Sequence, residues 1–485
     1  MKTNVFITKL LGLTLCMLLL APAALMAQDK MPITTSSEEA REVFIEGRDQ
    51  LEMLNIAKST ELLKRAVELD PEFAMAYLFL SFSEGGGTGF APEPLNKAID
   101  FSHKVSEGER QMIHLIKAMQ AGNEKAGEIH REALLKLHPQ DERIQLWSGY
   151  SLYFQEENRK ALPHFKKAER LNEAFHPAYN ILGYTYMNLG KTKKAERHFK
   201  AYLRILPDAA NPHDSYAEFL RKEGRFDEAI EHYKKAIAYS PGFLASHKGL
   251  ADSYLFKGEY GLAREQYRNY CKHTSNKNSQ FNSLLWDATL DLHENKPESA
   301  LRVMDQYIDL AEELELPYYK IYGRAYMAGI LNETGQPEKA IRLYREAIKK
   351  AETEDMDENI RMNLKTLGHL WEFYALASNG DMDDAEAART QCHEMVCQQE
   401  NPYHHQVYNA ACGIMEIKKG DYRQARKHLS KAYEGAFTWY YMGLAWEKSG
   451  KDKKARDWYE KVANHYNNSI ELGIFRNKAM AGLEE

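Results

Sequence analysis

Residues 176–209 read HPAYNILGYTYMNLGKTKKAERHFKAYLRILPDA, and this stretch decides the fold. Apolar residues recur every three to four positions in 176–189 and in 192–205, a spacing that predicts two amphipathic helices. Gly190 lies between them, where glycine readily adopts a turn conformation. Pro207 follows the second stretch and favours a helix end there. The segment therefore predicts two helices joined by a short turn.

The same pattern recurs along most of the chain. A 34-residue register runs without a gap from Ala40 to Lys277, and looser blocks continue from about residue 281. A single pair of short helices cannot bury its apolar face, so neighbouring pairs must stack. The length of 485 residues would suggest about three globular domains, but the repeat predicts one continuous helical array instead.

The repeat resembles the tetratricopeptide repeat over roughly residues 40–485. The resemblance implies an all-α fold, a right-handed superhelical solenoid of about twelve helix pairs plus a C-terminal capping helix. The signature is bulky–x2–Leu–Gly–x2–Tyr, then Ala–x3–aromatic, then Pro. In the quoted stretch it is carried by Tyr179, Leu182, Gly183, Tyr186, Ala195, Phe199 and Pro207.

The N-terminal residues 1–27 have the arrangement of a secretory signal peptide. Lys2 and Lys9 form a basic region, an apolar stretch follows, and small residues after Pro22 lead to a cleavage site near residue 27. A retained anchor helix is the alternative, although a span needs about 20 apolar residues and this stretch is shorter. We therefore expect an exported protein, periplasmic or associated with the cell envelope, that meets a membrane only through an uncleaved leader.

The mature chain divides by repeat length into four further parts. They are a linker at 28–39, a strict array at 40–277, a longer and irregular array at 278–469, and the capping helix at 470–485. Four cysteines remain after the leader, too few for a disulfide framework in an exported chain of this length. We predict that they are small buried residues, with a pairing of Cys392 and Cys412 left open. The four are Cys271, Cys392, Cys397 and Cys412.

The sequence offers little catalytic chemistry. Removal of the leader leaves 62 basic and 70 acidic residues, which gives no cationic footprint for nucleic acid. The mean hydropathy of −0.59 excludes a multi-span membrane protein. His393-Glu394-x-x-Cys397 lacks the second histidine of a zinc-protease motif, and the adjacent His404 and His405 point apart on a helix. We predict no catalytic residue, no cofactor, no metal site and no enzymatic activity.

The tetratricopeptide resemblance implies a function through surface contacts. In such proteins the first helix of each pair lines a concave groove that binds a peptide or a partner protein. Lys248 lies at a position used by some members to clamp a carboxylate, but Asp252 stands where asparagine is expected. The predicted function is a non-catalytic scaffold that binds a protein or peptide; the alternative is a glycan- or nutrient-binding envelope component. The predicted groove residues are Tyr150, Tyr153, Asn180, Tyr184, Met187, Asn188, Asp214, Glu218, Arg221, Lys248, Asp252 and Phe256.

Overall fold

The computed structural model describes residues 30–86, 89–274, 278–399 and 401–484, and every regular element in these ranges is helical. The helices divide between two compact units. Unit 1 comprises residues up to Phe219 together with 238–240, and unit 2 comprises 220–237 and 241 onward. The predicted signal peptide lies outside the described residues. The boundary between the units differs from the predicted change of array at residue 278.

Unit 1 is built from the strict repeats. Odd-numbered helices are the first helices of successive pairs, and even-numbered helices are the second. A 3-10 turn, Phe101–Lys104, lies between the helices Pro92–Asp100 and Glu107–Gln120. The α-helices of unit 1 are α1 (Glu38–Glu52), α2 (Ile56–Leu69), α3 (Ala74–Glu84), α4 (Pro92–Asp100), α5 (Glu107–Gln120), α6 (Glu124–Leu137), α7 (Glu142–Tyr153), α8 (Asn158–Leu171), α9 (His176–Asn188) and α10 (Thr192–Ile205).

Two further helices, α11 (Ala210–Lys222) and α12 (Phe226–Tyr239), contain residues of both units. The remaining helices of unit 2 are longer on average, as the looser repeats predict. They are α13 (Leu244–Phe256), α14 (Tyr260–Lys272), α15 (Asn278–His293), α16 (Pro297–Glu313), α17 (Pro317–Glu333), α18 (Pro337–Thr353), α19 (Glu358–Asn379), α20 (Met382–Cys397), α21 (Pro402–Lys419), α22 (Tyr422–Leu429), α23 (Ala436–Glu447), α24 (Asp452–Ala463) and α25 (Ile470–Glu484).

The turn glycines confirm the predicted positions of the bends. Gly190, between α9 and α10, has φ 65°, in the left-handed region that glycine enters without steric cost. Its predicted counterparts also have positive φ angles: Gly224, Gly258, Gly335, Gly380, Gly420 and Gly450.

Small residues allow the helices of a pair to cross closely. A Cβ atom placed on Gly183 of α9 would lie 2.5 Å from the Phe199 ring of α10. Ala195 and Phe199 have no exposed surface. The sequence signature thus records a packing requirement, since a larger side chain at Gly183 would collide with the aromatic ring that fills the pair.

The four cysteines of the described chain are free thiols. Cys392 and Cys412 are buried, as predicted, and they do not form the disulfide that the sequence left open. Cys397 is exposed and Cys271 is only partly buried, so the prediction of buried cysteines is wrong for Cys397. Burial raises the pKa of the Cys412 thiol to about 11, which keeps it protonated and unreactive at neutral pH.

Candidate functional site

An extended N-terminal segment, residues 30–37, lies against the first helices of unit 1. The backbone N–H of Met31 donates to Asp141 Oδ2 at 2.9 Å, and that of Thr34 donates to Glu109 Oε1 at 2.7 Å. Asp141 precedes α7, Glu109 belongs to the first turn of α5, and both carboxylates are buried. Unit 1 therefore holds an extended peptide through carboxylates that meet its backbone amides.

A third buried carboxylate holds the end of the N-terminal segment. The hydroxyl of Thr35 donates to Asp70 Oδ2 at 2.6 Å, and the N–H of Ser36 donates to the same oxygen at 2.8 Å. Burial alone would raise the pKa of Asp70, but these hydrogen bonds outweigh it, so the pKa lies below its ordinary value. Asp70 consequently stays ionised and fixes the chain just before α1 begins.

Apolar side chains complete the docking of the N-terminal segment. Met31 and Ile33 pack against a core cluster that includes Phe44 and Met112. A cavity of about 260 Å³ lies beside them on the same helices. The sequence predicts a linker at 28–39, but residues 30–37 are an integral part of unit 1.

Beyond the N-terminal segment, polar contacts link the first helices α7, α9 and α11 of unit 1. Asn188 Nδ2 donates to the hydroxyl of Tyr153 at 3.1 Å. The hydroxyl of Tyr184 donates to Glu218 Oε2 at 2.9 Å. Burial and the carboxylate of Glu218 raise the pKa of Tyr184 well above its ordinary value, so its hydroxyl remains a donor. Four of the predicted groove residues are therefore brought together.

Two other predicted groove residues, Asn180 and Met187, lie on the same helix α9. In the described chain, nothing hydrogen-bonds to the buried Asn180 Oδ1 atom. Met187 is partly exposed and lies about two helical turns after Asn180 on the same helix. A buried amide oxygen without a donor is costly, so Asn180 would gain from a donor that reached it after a shift of the side chains that cover this atom.

Two predicted groove residues of unit 1 are instead part of its packing. The ring of Tyr150 lies 5.7 Å from Phe165 and 5.5 Å from Trp147, in edge-to-face contacts. Asp214 is buried. Helical spacing placed both residues on the first-helix face but could not show how deeply neighbouring helices cover them.

The predicted groove residues of unit 2 belong to an ionic cluster whose central carboxylate is closed to solvent. Asp252 has no exposed surface; it accepts from Lys248 Nζ at 2.9 Å and from the hydroxyl of Tyr267. The guanidinium of buried Arg221 lies 3.7 Å from the same carboxylate. Lys248 is thus engaged within the protein rather than presented as a clamp for a carboxylate ligand.

The chain's own C-terminal segment, residues 465–469, covers this cluster. Arg221 donates to the carbonyl of Tyr466, whose ring lies 5.3 Å from Phe256. Asn468 Nδ2 donates to the hydroxyl of Tyr267 at 2.7 Å. The prediction of an open groove at Arg221, Asp252 and Phe256 is therefore wrong, because a segment more than 200 residues away in sequence occupies it.

Helix α25 continues from the C-terminal segment and does more than cap the last pair. It packs against its neighbour α24, and also against α15 and α23. Asn477 Nδ2 donates to the carbonyl of Leu292 at 3.0 Å, and Phe475 is buried. The predicted capping helix thus joins the last repeat of unit 2 to a much earlier one.

These contacts enclose a cavity of about 470 Å³ within unit 2. Its aromatic walls come from successive first helices: Trp286 on α15, Tyr322 on α17, Trp371 on α19 and Tyr403 on α21. The sequence prediction missed this site. Its signal was the spacing of Tyr318, Tyr322 and Tyr326, four residues apart on one first helix, which places three tyrosines on one face.

Fold and surface together define a helical repeat protein built from stacked antiparallel pairs. Family models described as tetratricopeptide repeat match residues 146–210 and 220–285. Over these two stretches the chain is similar to tetratricopeptide repeats; the first stretch lies in unit 1 and the second largely in unit 2.

Known proteins resemble parts of the chain. It is 27% identical over 140 residues to the human protein named Protein O-mannosyl-transferase TMTC3; the match covers 25% of this chain and 15% of that one. Among solved structures, a tetratricopeptide repeat protein from Parabacteroides merdae is 15% identical, covering 68% of this chain and 99% of its own, with a TM-score of 0.34. The structure of MamA is 20% identical, covering 34% of this chain and 91% of its own, with a TM-score of 0.30.

Two further features concern the described residues, namely clusters of metal ligands and membrane-spanning helices. Within them, no group of three or more His, Cys, Asp or Glu side chains could hold a metal ion. His404 is buried and bonds to Asn363 Oδ1 at 2.8 Å. None of the described helices has the length and apolar character needed to cross a bilayer.

Proposed function

We propose that the protein is a non-catalytic scaffold that binds an extended peptide or partner segment on the first-helix face of unit 1, around α7, α9 and α11. The observation that carries this proposal is the N-terminal segment. Unit 1 already holds one extended stretch of chain on its first helices, with backbone amides on buried carboxylates and apolar side chains in the core. Beyond that segment, the first helices α7, α9 and α11 carry polar side chains of their own.

The side chains of this second region suit an extended peptide. Asn180 offers an acceptor with no donor in the described chain, and Asn188 is exposed at the end of the same helix. Met187 and Tyr184 supply adaptable apolar surface between them. A peptide lying across α9 would gain a hydrogen bond at Asn180 Oδ1, which the free protein does not make, once the side chains that cover this atom move aside.

A peptide-display selection against the full chain tests this proposal. Enriched peptides are synthesised, and their dissociation constants are measured by fluorescence anisotropy. We expect the double substitution Asn180→Ala with Asn188→Ala to weaken binding about thirtyfold, because each of the two lost hydrogen bonds contributes about 1 kcal/mol. Met187→Glu should weaken it further by placing a charge in the contact.

The matched control is Lys193→Ala, on the exposed surface of the second helix α10. It should leave the dissociation constant unchanged. If the selection enriches no peptide, or if all of these variants bind the enriched peptides equally, the first-helix face of unit 1 is not the binding surface.

We also propose that the protein is exported, on the basis of residues 1–27 alone. Expression of the full chain in a Gram-negative host, followed by fractionation and intact-mass measurement, tests this. A periplasmic product whose mass lacks about the first 27 residues is expected. A cytoplasmic product that retains them would contradict export.

Binding of a glycan or small nutrient is the second candidate function, and the aromatic cavity of unit 2 favours it. A glycan array probed with the full chain and with Trp371→Ala tests this candidate. Binding that the substitution abolishes would support it, whereas an array without hits would remove it.

A further inference from the structure

The cavity of unit 2 has the size of a small-molecule site. Its volume of about 470 Å³ falls within the range of roughly 300–1,000 Å³ in which proteins bind small ligands. First helices form most of its wall, and α25 with the C-terminal segment forms the rest. The cavity therefore exists only because the end of the chain folds back across unit 2.

The aromatic rings of the wall stand at different angles around the cavity. Tyr322 and Trp371 meet edge to face, with ring centroids 5.9 Å apart and an interplanar angle of 70°. Elsewhere in the wall, the ring centroid of Tyr433 lies 6.0 Å from that of Tyr403 and 6.1 Å from that of Phe437. Several aromatic rings that line one space at different angles suit an ammonium or guanidinium group, because the face of each ring is negative.

The charges of the wall have a single sign. Among its described residues, the only charged ones are Glu333 and Glu471. Glu333 is already compensated, since it binds Lys478 and accepts a hydrogen bond of 2.7 Å from Tyr441. A cation entering the cavity would therefore find negative charge and no competing lysine, arginine or histidine in the described lining.

Glu471 is the uncompensated carboxylate. It accepts from the N–H of Phe437 at 2.7 Å and from the hydroxyl of Tyr433 at 3.3 Å, but no described Lys, Arg or His lies within ion-pair distance. Burial raises the pKa of Glu471 although both donors oppose this. A half-buried carboxylate that lacks a cation is partly desolvated at a cost, and a bound cation would offset that cost.

We propose that this cavity binds an organic cation, an alkylammonium or guanidinium group, against the aromatic wall and Glu471. The cation is presented either by a free small molecule or by a lysine or arginine side chain of a peptide. The proposal is independent of peptide binding in unit 1, because all the residues that carry it belong to unit 2.

Isothermal titration of the full chain with choline and with its uncharged isostere 3,3-dimethyl-1-butanol tests the role of charge. We expect saturable choline binding and binding of the isostere at least about tenfold weaker. Blocked dipeptides containing arginine or lysine form a second arm. Tighter binding of these peptides than of choline would identify a side chain as the natural source of the cation.

Variants locate the site. Glu471→Gln removes the charge but keeps an acceptor for the Phe437 amide, and should weaken choline binding about tenfold. Trp371→Leu should weaken it similarly through the aromatic wall. The matched control is Glu338→Gln, an exposed residue of α18 outside the cavity, which should bind choline as the unaltered protein does.

Thermal melting of each variant, followed by circular dichroism, distinguishes loss of binding from loss of folding. If Glu471→Gln does not fold, the choline–isostere comparison carries the test of charge, and Tyr322→Leu joins Trp371→Leu as a second test of the aromatic wall. Absence of choline and peptide binding to the folded, unaltered protein overturns the proposal, as does equal binding of the uncharged isostere. Glycan binding that Glu471→Gln leaves intact would also overturn it, in favour of a carbohydrate site.

Discussion

Units 1 and 2 are built from the same repeat, yet the terminal segment that covers the first helices is of a different kind in each unit. Unit 1 is covered in part by the extended residues 30–37, held by backbone hydrogen bonds to Asp70, Glu109 and Asp141. Unit 2 is crossed by residues 465–469 and by a whole helix, α25, which closes around a cavity. A short extended segment leaves neighbouring repeats available, whereas a helix that packs on several repeats becomes part of the core.

The largest difference between the units should appear on truncating Phe475. This α25 side chain is buried, and its ring lies 5.5 Å from Phe437 and 5.3 Å from Tyr440. We expect Phe475→Ala to lower the free energy of unfolding of unit 2 by about 3–5 kcal/mol, measured by urea denaturation. Met31→Ala, the matched change in the partly exposed N-terminal segment, should cost less. Equal losses would contradict the view that unit 2 has taken its terminal segment more deeply into the core than unit 1 has.

Overpacking a helix crossing should have the next largest effect. Gly183→Leu forces a side chain into the ring of Phe199 and should cost about 1–3 kcal/mol or more, seen as a lower melting temperature. Gly261→Ala on α14 is the control, because an added Cβ there meets no atom within 4 Å. It should be neutral or slightly stabilising. An unchanged melting temperature for Gly183→Leu would refute the close crossing.

A smaller loss of stability should show whether Lys248 stabilises the fold or binds a ligand carboxylate. Lys248→Ala removes one partner of the buried Asp252, which keeps its bonds to Arg221 and Tyr267. We expect a loss of about 1–2 kcal/mol in unfolding free energy and no change in peptide affinity. Lys248→Arg should restore most of the stability. Weaker peptide binding at unchanged stability would instead support the clamp.

The smallest expected effect concerns the N-terminal segment and depends on pH. Thr35→Ala removes one hydrogen bond to Asp70 and should cost about 1 kcal/mol at pH 7. Because the pKa of Asp70 is lowered by folding, its contribution is present above the unfolded value of about 4 and is lost as the pH falls through the folded value. The stability difference between Thr35→Ala and the unaltered protein should therefore shrink below about pH 4 in urea titrations. If this stability difference stays constant as the pH falls, the hydroxyl of Thr35 does not stabilise the ionised form of Asp70.

Much of the fold was predictable because its determinants are local. Gly190 and Gly183 each serve one turn or one crossing within a pair, and their roles follow from residues a few positions away. The candidate site was predictable only in part. Tyr153, Tyr184, Asn188 and Glu218 meet as the repeat implies, because 34-residue spacing places them on adjacent helices.

Residues whose surroundings come from distant parts of the chain were not predictable. Phe256 and Asp252 look like groove residues by helical position, but Tyr466 and Asn468 cover them. Burial of this kind depends on where the ends of the chain pack, and the repeat contains no information about that.

The sequence by itself determined the helical pairs, their turns and the repeat that stacks them, since these rest on periodicity and on small residues at short spacing. Only the tertiary structure decided which faces remain available. Residues 30–37 and 465–484 dock through contacts up to 245 positions away, and such contacts enclose the aromatic cavity of unit 2. No local pattern specifies them, because each depends on the complementary surface that the assembled repeats create.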